Sequence, residues 1–306
     1  MVCTSAERAS YPYSPWFQRS KEQIHFKDLY TVASLAKKYK VQEIITETID
    51  RLTLYFPSRS LENWGAVTYT DEKVLSVGKI DPLYIVDSDA VAVVNLARLL
   101  GAHHLIPIAL YVCCTMEQQE ALVDGVTYGD EVVRLSQDDL RRCLLARREL
   151  LREASQVFLV VLDFISTKPA ACVSWNLQCR RALEAVVRLA VEEGFGGSHP
   201  SPIDEWGWWL DSTYETKPGT RPCLHCQKNL KRLIDERREE AWKKLGCIFD
   251  VEPWPVTVSL RYQSTFRLLL FLSLTACRIL KAAQTKGQSP SYSAASVITI
   301  CASNRA

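Results

Sequence analysis

Apolar residues recur at three- and four-residue steps along much of this chain, the spacing of amphipathic helices. The first such pattern occupies residues 26–56 and ends at Pro57. Because this pattern is continuous, helix propensity alone would allow one long helix over residues 26–56. Residues 57–87 break the pattern with scattered prolines and glycines, so we expect irregular structure there.

A second helical block follows. Ser88 or Asp89 can cap a helix for which Gly101 is a suitable residue just past the end. Pro107 fits the first turn of the next helix, because its missing N–H has no partner there anyway. These residues predict two consecutive helices.

A longer helix is predicted between Ser136 and Pro169. Ser136 with Asp139 resembles a capping box, with aspartate in place of the usual glutamate. We expect one apolar stripe along this helix, formed by Leu140, Leu144, Leu151, Ala154, Phe158, Leu162 and Ile165.

The third block, residues 170–254, is divided by a Gly/Ser/Pro-rich loop at 194–202, and its last helix is expected to run from near Cys226 to Gly246. The predicted fold is mainly all-α, a helical bundle with a small cysteine-containing module and disordered ends, and no sheet larger than a hairpin. The expected divisions are a flexible leader 1–22, helices 23–60, a helical region 61–169, the cysteine module 170–254, and a largely disordered tail 255–306.

Composition and charge exclude several classes of function. The 37 basic residues nearly balance 35 acidic ones, which argues against bulk binding of nucleic acid. The first 25 residues lack the apolar core of a signal peptide, so we expect an intracellular protein of the cytoplasm or nucleus. The uncharged run Leu268–Cys277 is half the length of a spanning helix, so no membrane role is expected. Eleven cysteines in such a protein indicate core residues or metal ligands.

Cysteine spacing gives the clearest chemical signal. Cys223 and Cys226 form a C-x-x-C directly before a predicted helix, and Cys172 and Cys179 lie upstream. Four thiolates brought together by the fold would suit one structural Zn²⁺, with His225 as a substitute ligand. Alternatively, Cys172 and Cys179 are core residues at a seven-residue helical repeat. A thiol enzyme using Cys223 or Cys226 is a third hypothesis, although no strand feeds the motif.

Other motifs point to structure. The tryptophans 206, 208 and 209 have acidic neighbours and are interpreted as core or interface anchors. The arginines between 141 and 152 alternate with acids, which is typical of a solvated helix face. His103-His104 is interpreted as a connector. The sequence contains no nucleotide-binding loop, zinc-protease motif or nucleophile elbow, so no catalysis and no small-molecule substrate are expected.

Several segments together resemble fungal, basidiomycete-type BTB/POZ proteins. Residues 26–29 and 35–41 are similar to the last helices of a BTB domain, where a Leu-Ala-x-Lys-Tyr-x-Val segment joins two helices. Further similar segments occur, in the same order, at 94–99, 109–114, 135–143, the two cysteine pairs, 238–245 and Trp254.

The resemblance implies a scaffold or adaptor that binds proteins. The strand-rich half that precedes these helices in the family has no counterpart in residues 1–22. The helices at 26–56 are therefore expected to expose an apolar face and to promote self-association. The alternative function is a transcription-associated nucleic-acid binder that uses a zinc-stabilised module and the arginines.

Overall fold

A computed structural model describes residues 23–69, 73–77, 82–116, 118–167, 169, 171–192, 201–204, 221–252 and 254. Helices account for most of these residues, which confirms the mainly all-α prediction. The predicted leader, the tail and the tryptophans 206, 208 and 209 lie outside the described residues. Within the described part of the chain, no helix is both long and apolar enough to cross a bilayer.

The helices are distributed along the whole described chain. They are α1 Phe26–Tyr39, α2 Gln42–Tyr55, α3 Leu61–Gly65, α4 Ala90–Leu100, α5 Ile106–Thr115, α6 Gln119–Asp124, α7 Gln137–Ser166, α8 Arg180–Glu192 and α9 Leu224–Phe249. The strands are β1 Ile24–His25, β2 Thr68–Tyr69, β3 Val74–Ser76, β4 Leu83–Val86, β5 Val126–Tyr128 and β6 Glu131–Val133.

The expectation of no sheet beyond a hairpin was wrong. Four strands pair in the order β1-β4-β3-β2, with β1 parallel to β4 and the other pairs antiparallel. A separate hairpin joins β5 to β6. The strands are two to four residues long, too short to produce a visible alternation of apolar and polar positions. The stretch predicted to be irregular therefore contains β2, β3, β4 and the short helix α3.

The first apolar pattern forms two helices rather than one. Lys40 ends α1 in the left-handed region, with φ 58° and ψ 38°. Its backbone N–H donates to Lys37 O, and the N–H of Val41 reaches back to Ala36 O at 2.9 Å. This closing turn is the usual device for ending a helix, and periodicity alone does not reveal it.

The main core is built around α4 and α5. Every residue of α5 from Ile106 to Cys114 is buried, so this helix is surrounded by protein on all sides. Gly101 ends α4 with φ 79°, and Pro107 lies in the first turn of α5, as predicted.

The apolar positions of α1 and α2 are divided between the core and the surface. Phe26, Leu29, Leu52 and Tyr55 are at most 1% exposed and belong to the main core. The Tyr55 hydroxyl donates to Leu83 O in β4. The chain thus covers part of the expected apolar face with its own elements, while Val32, Leu35 and Tyr39 of α1 stay exposed.

The long helix α7 begins at the predicted cap but buries a different face. Ser136 Oγ accepts from Asp139 N at 3.1 Å and donates to the carboxylate of the same residue at 2.9 Å. The predicted stripe is rotated from the buried one, because Leu144 is 57% exposed. The buried positions are Asp139, Cys143, Ala146, Leu150, Glu153, Ala154, Val157, Val161 and Phe164.

The end of α9 also differs from the prediction. Gly246 is buried inside the helix, which continues to Phe249 and ends at Asp250 in the left-handed region. A Cβ at Gly246 would lie 2.5 Å from the Cβ of Trp254. The glycine therefore allows Trp254 to pack against the helix, where its indole N–H donates to Trp242 O at 2.7 Å.

A second core lies at the far end of α7. Val157, Val161 and Phe164 of α7 pack there with residues of α8 and α9 around the cysteines. The segment 201–204 fastens α9 to the main core, because Arg238 donates to Ile203 O while Asp204 accepts from Trp64 and Tyr111. Both α7 and α9 contribute to the two cores.

Candidate metal centre

The first cysteine pair is positioned by two consecutive turns. The N–H of Cys172 donates to Pro169 O at 3.0 Å, just after α7. A wide helical turn at Trp175–Cys179 follows, in which the N–H groups of Gln178 and Cys179 both donate to Ser174 O. This turn brings the two sulfurs together across the C-x6-C spacing, which would be wide for a simple loop.

The second pair lies at the start of α9. Cys223 is the N-cap residue, with φ −62° and ψ 155°, and Cys226 falls in the first helical turn. Residues three apart on a helix share a face, so both side chains can point toward the same centre. The C-x-x-C before a helix therefore adopts the arrangement that its spacing predicts.

The two pairs converge on one point. The sulfurs of Cys172, Cys179, Cys223 and Cys226 all lie within 4.8 Å of one another. The sulfurs of Cys172 and Cys223 are 3.9 Å apart. Tetrahedral zinc with Zn–S bonds of about 2.3 Å requires sulfur separations of about 3.8 Å. The cluster is therefore close to the size that one such ion needs.

Hydrogen bonds and burial distinguish the four thiols. The pKa of Cys223 is lowered to about 7, first by the backbone N–H of Cys226 and then by neighbouring thiols. Burial raises the pKa of Cys226 and of Cys179. The N–H of Cys223 donates to Cys179 Sγ at 3.2 Å. Backbone donors thus already point at two of the sulfurs, which favours their thiolate forms.

Three of the four cysteines in the cluster are buried. Cys172, Cys179 and Cys226 are at most 3% exposed, whereas Cys223 is half-buried. Trp175 belongs to the same core and meets Phe164 edge-on, with ring centroids 6.0 Å apart. An ion held here would be shielded from water except beside Cys223.

The proposed substitute ligand lies outside this group. His225 is exposed, and its Nε2 is 2.9 Å from Asn229 Nδ2 on the next turn of α9. It lies between Cys223 and Cys226 in sequence, so the helix turns it away from the face that those two share. The structure assembles four sulfurs without it.

A buried charge cluster was missed by the sequence analysis. The side chain of Asp139 is fully buried, and it accepts hydrogen bonds from Arg98 and Arg142 as well as Ser136. Arg147 of α7 donates to Cys114 O at 2.8 Å. Arg147, one of the arginines assigned to a solvated face, therefore ties α7 to α5, whereas the Arg142–Asp139 pair lies within α7. The alternation of acids and arginines along α7 could not indicate that Arg98 of α4 pairs with Asp139.

The His103-His104 pair has the connector role that was predicted. It forms a short turn, His103–Leu105, between α4 and α5. His104 Nε2 lies 3.2 Å from Thr53 Oγ1. Burial and the charge of Arg59 lower the pKa of this histidine, which disfavours its charged form.

Comparisons with protein-family models, with curated proteins and with solved structures found no significant match to this chain. The functional argument therefore depends on the site itself.

Proposed function

We propose that this chain is a non-catalytic protein-interaction protein, a BTB-type scaffold or adaptor, with one structural zinc ion bound by Cys172, Cys179, Cys223 and Cys226. The observation that carries the proposal is the convergence of four sulfurs from two separate parts of the chain. Such convergence is the usual outcome of a metal site rather than of cysteine used as a small apolar side chain.

Zinc is the ion that fits these ligands best. Thiolates are soft ligands and select zinc or iron–sulfur chemistry over calcium or magnesium. Four protein ligands fill the tetrahedron and leave no position for water or substrate, so the ion would be structural. It would join the end of α7 to the start of α9 through the second core, whose buried residues include Cys172, Cys179 and Cys226.

Two features support a role in binding proteins. Val32, Leu35 and Tyr39 form an exposed apolar stripe on α1, at three- and four-residue spacing. The helix break at Lys40 falls within the segment that resembles the junction of two BTB helices. A surface that presents apolar side chains from a rigid helix suits recognition of a partner better than catalysis.

Nucleic-acid binding is the second candidate, and one observation favours it. Residues 221–234 carry four basic side chains and no acidic one. Neighbouring acids neutralise part of this charge through the pairs Lys231–Asp235 and Arg232–Glu236. The affinity of a nucleic-acid binder falls steeply with salt, so titration with DNA and RNA at two salt concentrations separates the candidates.

The lowered pKa of Cys223 also bears on the thiol-enzyme hypothesis. A metal ligand and a nucleophile both require the thiolate, so the pKa alone does not distinguish them. Metal binding predicts that all four thiols are protected from alkylation until a chelator is added. A nucleophile predicts that Cys223 alone reacts fast in the untreated protein.

The zinc proposal is tested by metal analysis of the full chain purified without chelator. One zinc per chain is expected, together with release of four reactive thiols when the metal is removed. A metal-free protein in which Cys172 and Cys223 react independently would contradict the proposal. Serine substitution at each cysteine then identifies the ligands.

A further inference from the structure

The four cysteines of the metal centre differ in how far solvent reaches them. Cys172, Cys179 and Cys226 are at most 3% exposed, whereas Cys223 is only half-buried. Cys223 is also the N-cap residue of α9, and the free N–H groups of a first helical turn favour negative charge nearby. Oxidation of a thiol depends on its exposure and its thiolate character. A small oxidant that approaches the cluster therefore meets Cys223 first.

A second sulfur lies in position to complete such a reaction. Cys172 Sγ is 3.9 Å from Cys223 Sγ, in a contact directed so that either thiol could donate to the other. A disulfide places its two sulfurs about 2.05 Å apart, so these two must approach by about 2 Å. Cys172 lies in the turn after α7, and Cys223 lies just before the first turn of α9. Both positions are outside the middle of a helix, where side-chain rotation and small backbone shifts supply that movement.

We propose that Cys223 is a site of oxidation by hydrogen peroxide, and that the reaction joins it to Cys172 in a disulfide and releases the metal ion. Hydrogen peroxide is scarcely larger than water, so it reaches a half-buried sulfur from which larger thiol reagents are excluded. This inference rests on the proposed zinc centre and adds a means of regulating it.

The chemistry takes place in two steps. The thiolate of Cys223 attacks one oxygen of hydrogen peroxide, the O–O bond breaks, and the other oxygen leaves as hydroxide and takes a proton to become water. The thiolate of Cys172 then attacks the sulfenic sulfur of Cys223, so that the S–S bond forms as the S–O bond breaks. The second oxygen also leaves as water. Two thiolates thus lose two electrons, and one peroxide and two protons become two waters.

The disulfide would take over the structural role of the ion. Cys179 and Cys226 fill only half of a zinc tetrahedron, so two remaining ligands no longer retain the metal. The new bond joins residues that are 51 positions apart, one after α7 and one at the start of α9. Closing a loop of this length restricts the unfolded chain, so the second core stays closed without zinc. A bond within the C-x-x-C, between Cys223 and Cys226, would release zinc and leave the two helices unlinked.

Stepwise oxidation of the zinc-loaded full chain tests the proposal. Hydrogen peroxide is added in single equivalents beside a chromophoric zinc chelator, free thiols are then blocked, and disulfides are mapped by mass spectrometry. Chymotrypsin is the suitable protease, because cleavage after Trp175 and Leu224 separates the two cysteines of each pair. We expect loss of one zinc and two free thiols per chain, with Cys172 bonded to Cys223. A dithiol reductant and added zinc should restore the starting protein.

Hydrogen exchange tests the structural part of the proposal. In the oxidised chain, α8 and the first turns of α9 should stay protected, whereas in the reduced chain stripped of zinc they should exchange faster. The matched control is Cys247→Ser, because Cys247 is exposed and lies outside the cluster. This variant should release zinc and form the same disulfide as the wild type. The disulfide map uses the wild-type chain, so the test does not depend on a variant that lacks a ligand.

The outcomes separate this inference from the proposed zinc centre. A zinc-loaded chain that keeps its metal in excess peroxide, or that first joins Cys223 to Cys226, overturns the inference and leaves the zinc centre standing. Loss of protection in α8 despite a mapped Cys172–Cys223 bond overturns the structural role of that bond. A chain purified without zinc overturns the metal centre and zinc release together, and its disulfide map then decides the oxidation site alone.

Discussion

The sulfurs of Cys172 and Cys223 lie 3.9 Å apart although the two residues are 51 positions apart in sequence. Cys172 follows α7, and Cys223 caps α9. One ion between them would close a long loop of chain, and closing a long loop restricts the unfolded state most. The stability of this end of the molecule is therefore expected to depend on the metal.

Replacing Cys226 with serine should release zinc and unfold the second core. A buried ligand is lost, and the remaining three thiols cannot complete the tetrahedron. Hydrogen exchange should show faster exchange in α8 and the start of α9, while α4 and α5 stay protected. Cys247→Ser is the matched control, because Cys247 is exposed and lies outside the cluster. Equal zinc content in both variants would contradict the assignment.

Replacing Gly246 with alanine should destabilise the protein. The new Cβ would meet Trp254 Cβ at 2.5 Å and Val251 O at 2.9 Å. Overpacking of this kind costs about 1–3 kcal/mol of unfolding free energy, measurable by urea titration. Gly65→Ala is the control, since nothing lies within 4 Å of its Cβ position. That change should be neutral or slightly stabilising, and similar losses in both variants would refute the packing argument.

Two glycine substitutions at the C-terminal end of α1 should have opposite effects on the unfolding free energy. Lys40 has a φ of 58°, which lysine adopts at a cost and glycine does not, so Lys40→Gly should raise the unfolding free energy by up to about 1 kcal/mol. Lys38 is inside the helix, so Lys38→Gly should lower it by about 1 kcal/mol. Thermal unfolding of both variants checks the sign. A lower unfolding free energy for Lys40→Gly would mean that contacts of the lysine side chain stabilise the protein more than its backbone conformation destabilises it.

Asp139 should be the residue of α7 most sensitive to substitution. Burial raises the pKa of this carboxyl, but hydrogen bonds from Arg98 and Ser136 and the nearby charge of Arg142 outweigh it, so the pKa is lowered. Asp139→Ala leaves the two arginines without their shared partner and should cost about 3 kcal/mol. Urea titration at neutral pH measures this loss.

The same carboxylate predicts a pH dependence. Because the folded pKa of Asp139 lies below the unfolded value, its stabilisation is complete above about pH 4 and is lost as pH falls through the folded pKa. The wild-type protein should lose more stability on acidification than Asp139→Asn does. Asp138→Asn is the neighbouring control, because Asp138 is exposed on the first turn of α7. Parallel pH curves for wild type and Asp139→Asn would contradict this role.

The sequence allowed the helices and the cysteine pairs to be predicted because both are local patterns. Helix ends at Gly101 and Ser136 depend on residues a few positions apart. The C-x-x-C motif is also local, and it supplies two of the four cysteines of the cluster. The spacing of the cysteines suggested that the two pairs lie close together in the fold. It could not establish this, because the contact is a matter of tertiary structure.

The buried face of α7 could not be predicted in the same way. Leucines 144, 145 and 159 are exposed, while the small residues Cys143 and Ala146 are buried. Small side chains allow α5 to approach closely, as the 3.5 Å contact from Cys114 Sγ to Cys143 O shows. A hydrophobicity pattern ranks leucine above cysteine and alanine. It therefore does not reveal a helix face whose small side chains allow a neighbouring helix to pack closely.

The length of α7 has a mechanical consequence. At 1.5 Å per residue, its 30 residues extend about 45 Å. One end is anchored by Arg98 in the main core, and the other enters the core beneath the cysteines. The two cores are thus kept a fixed distance apart, because a helix cannot lengthen without breaking its backbone hydrogen bonds. The helix is therefore a rigid spacer between the main core and the cysteine end of the molecule.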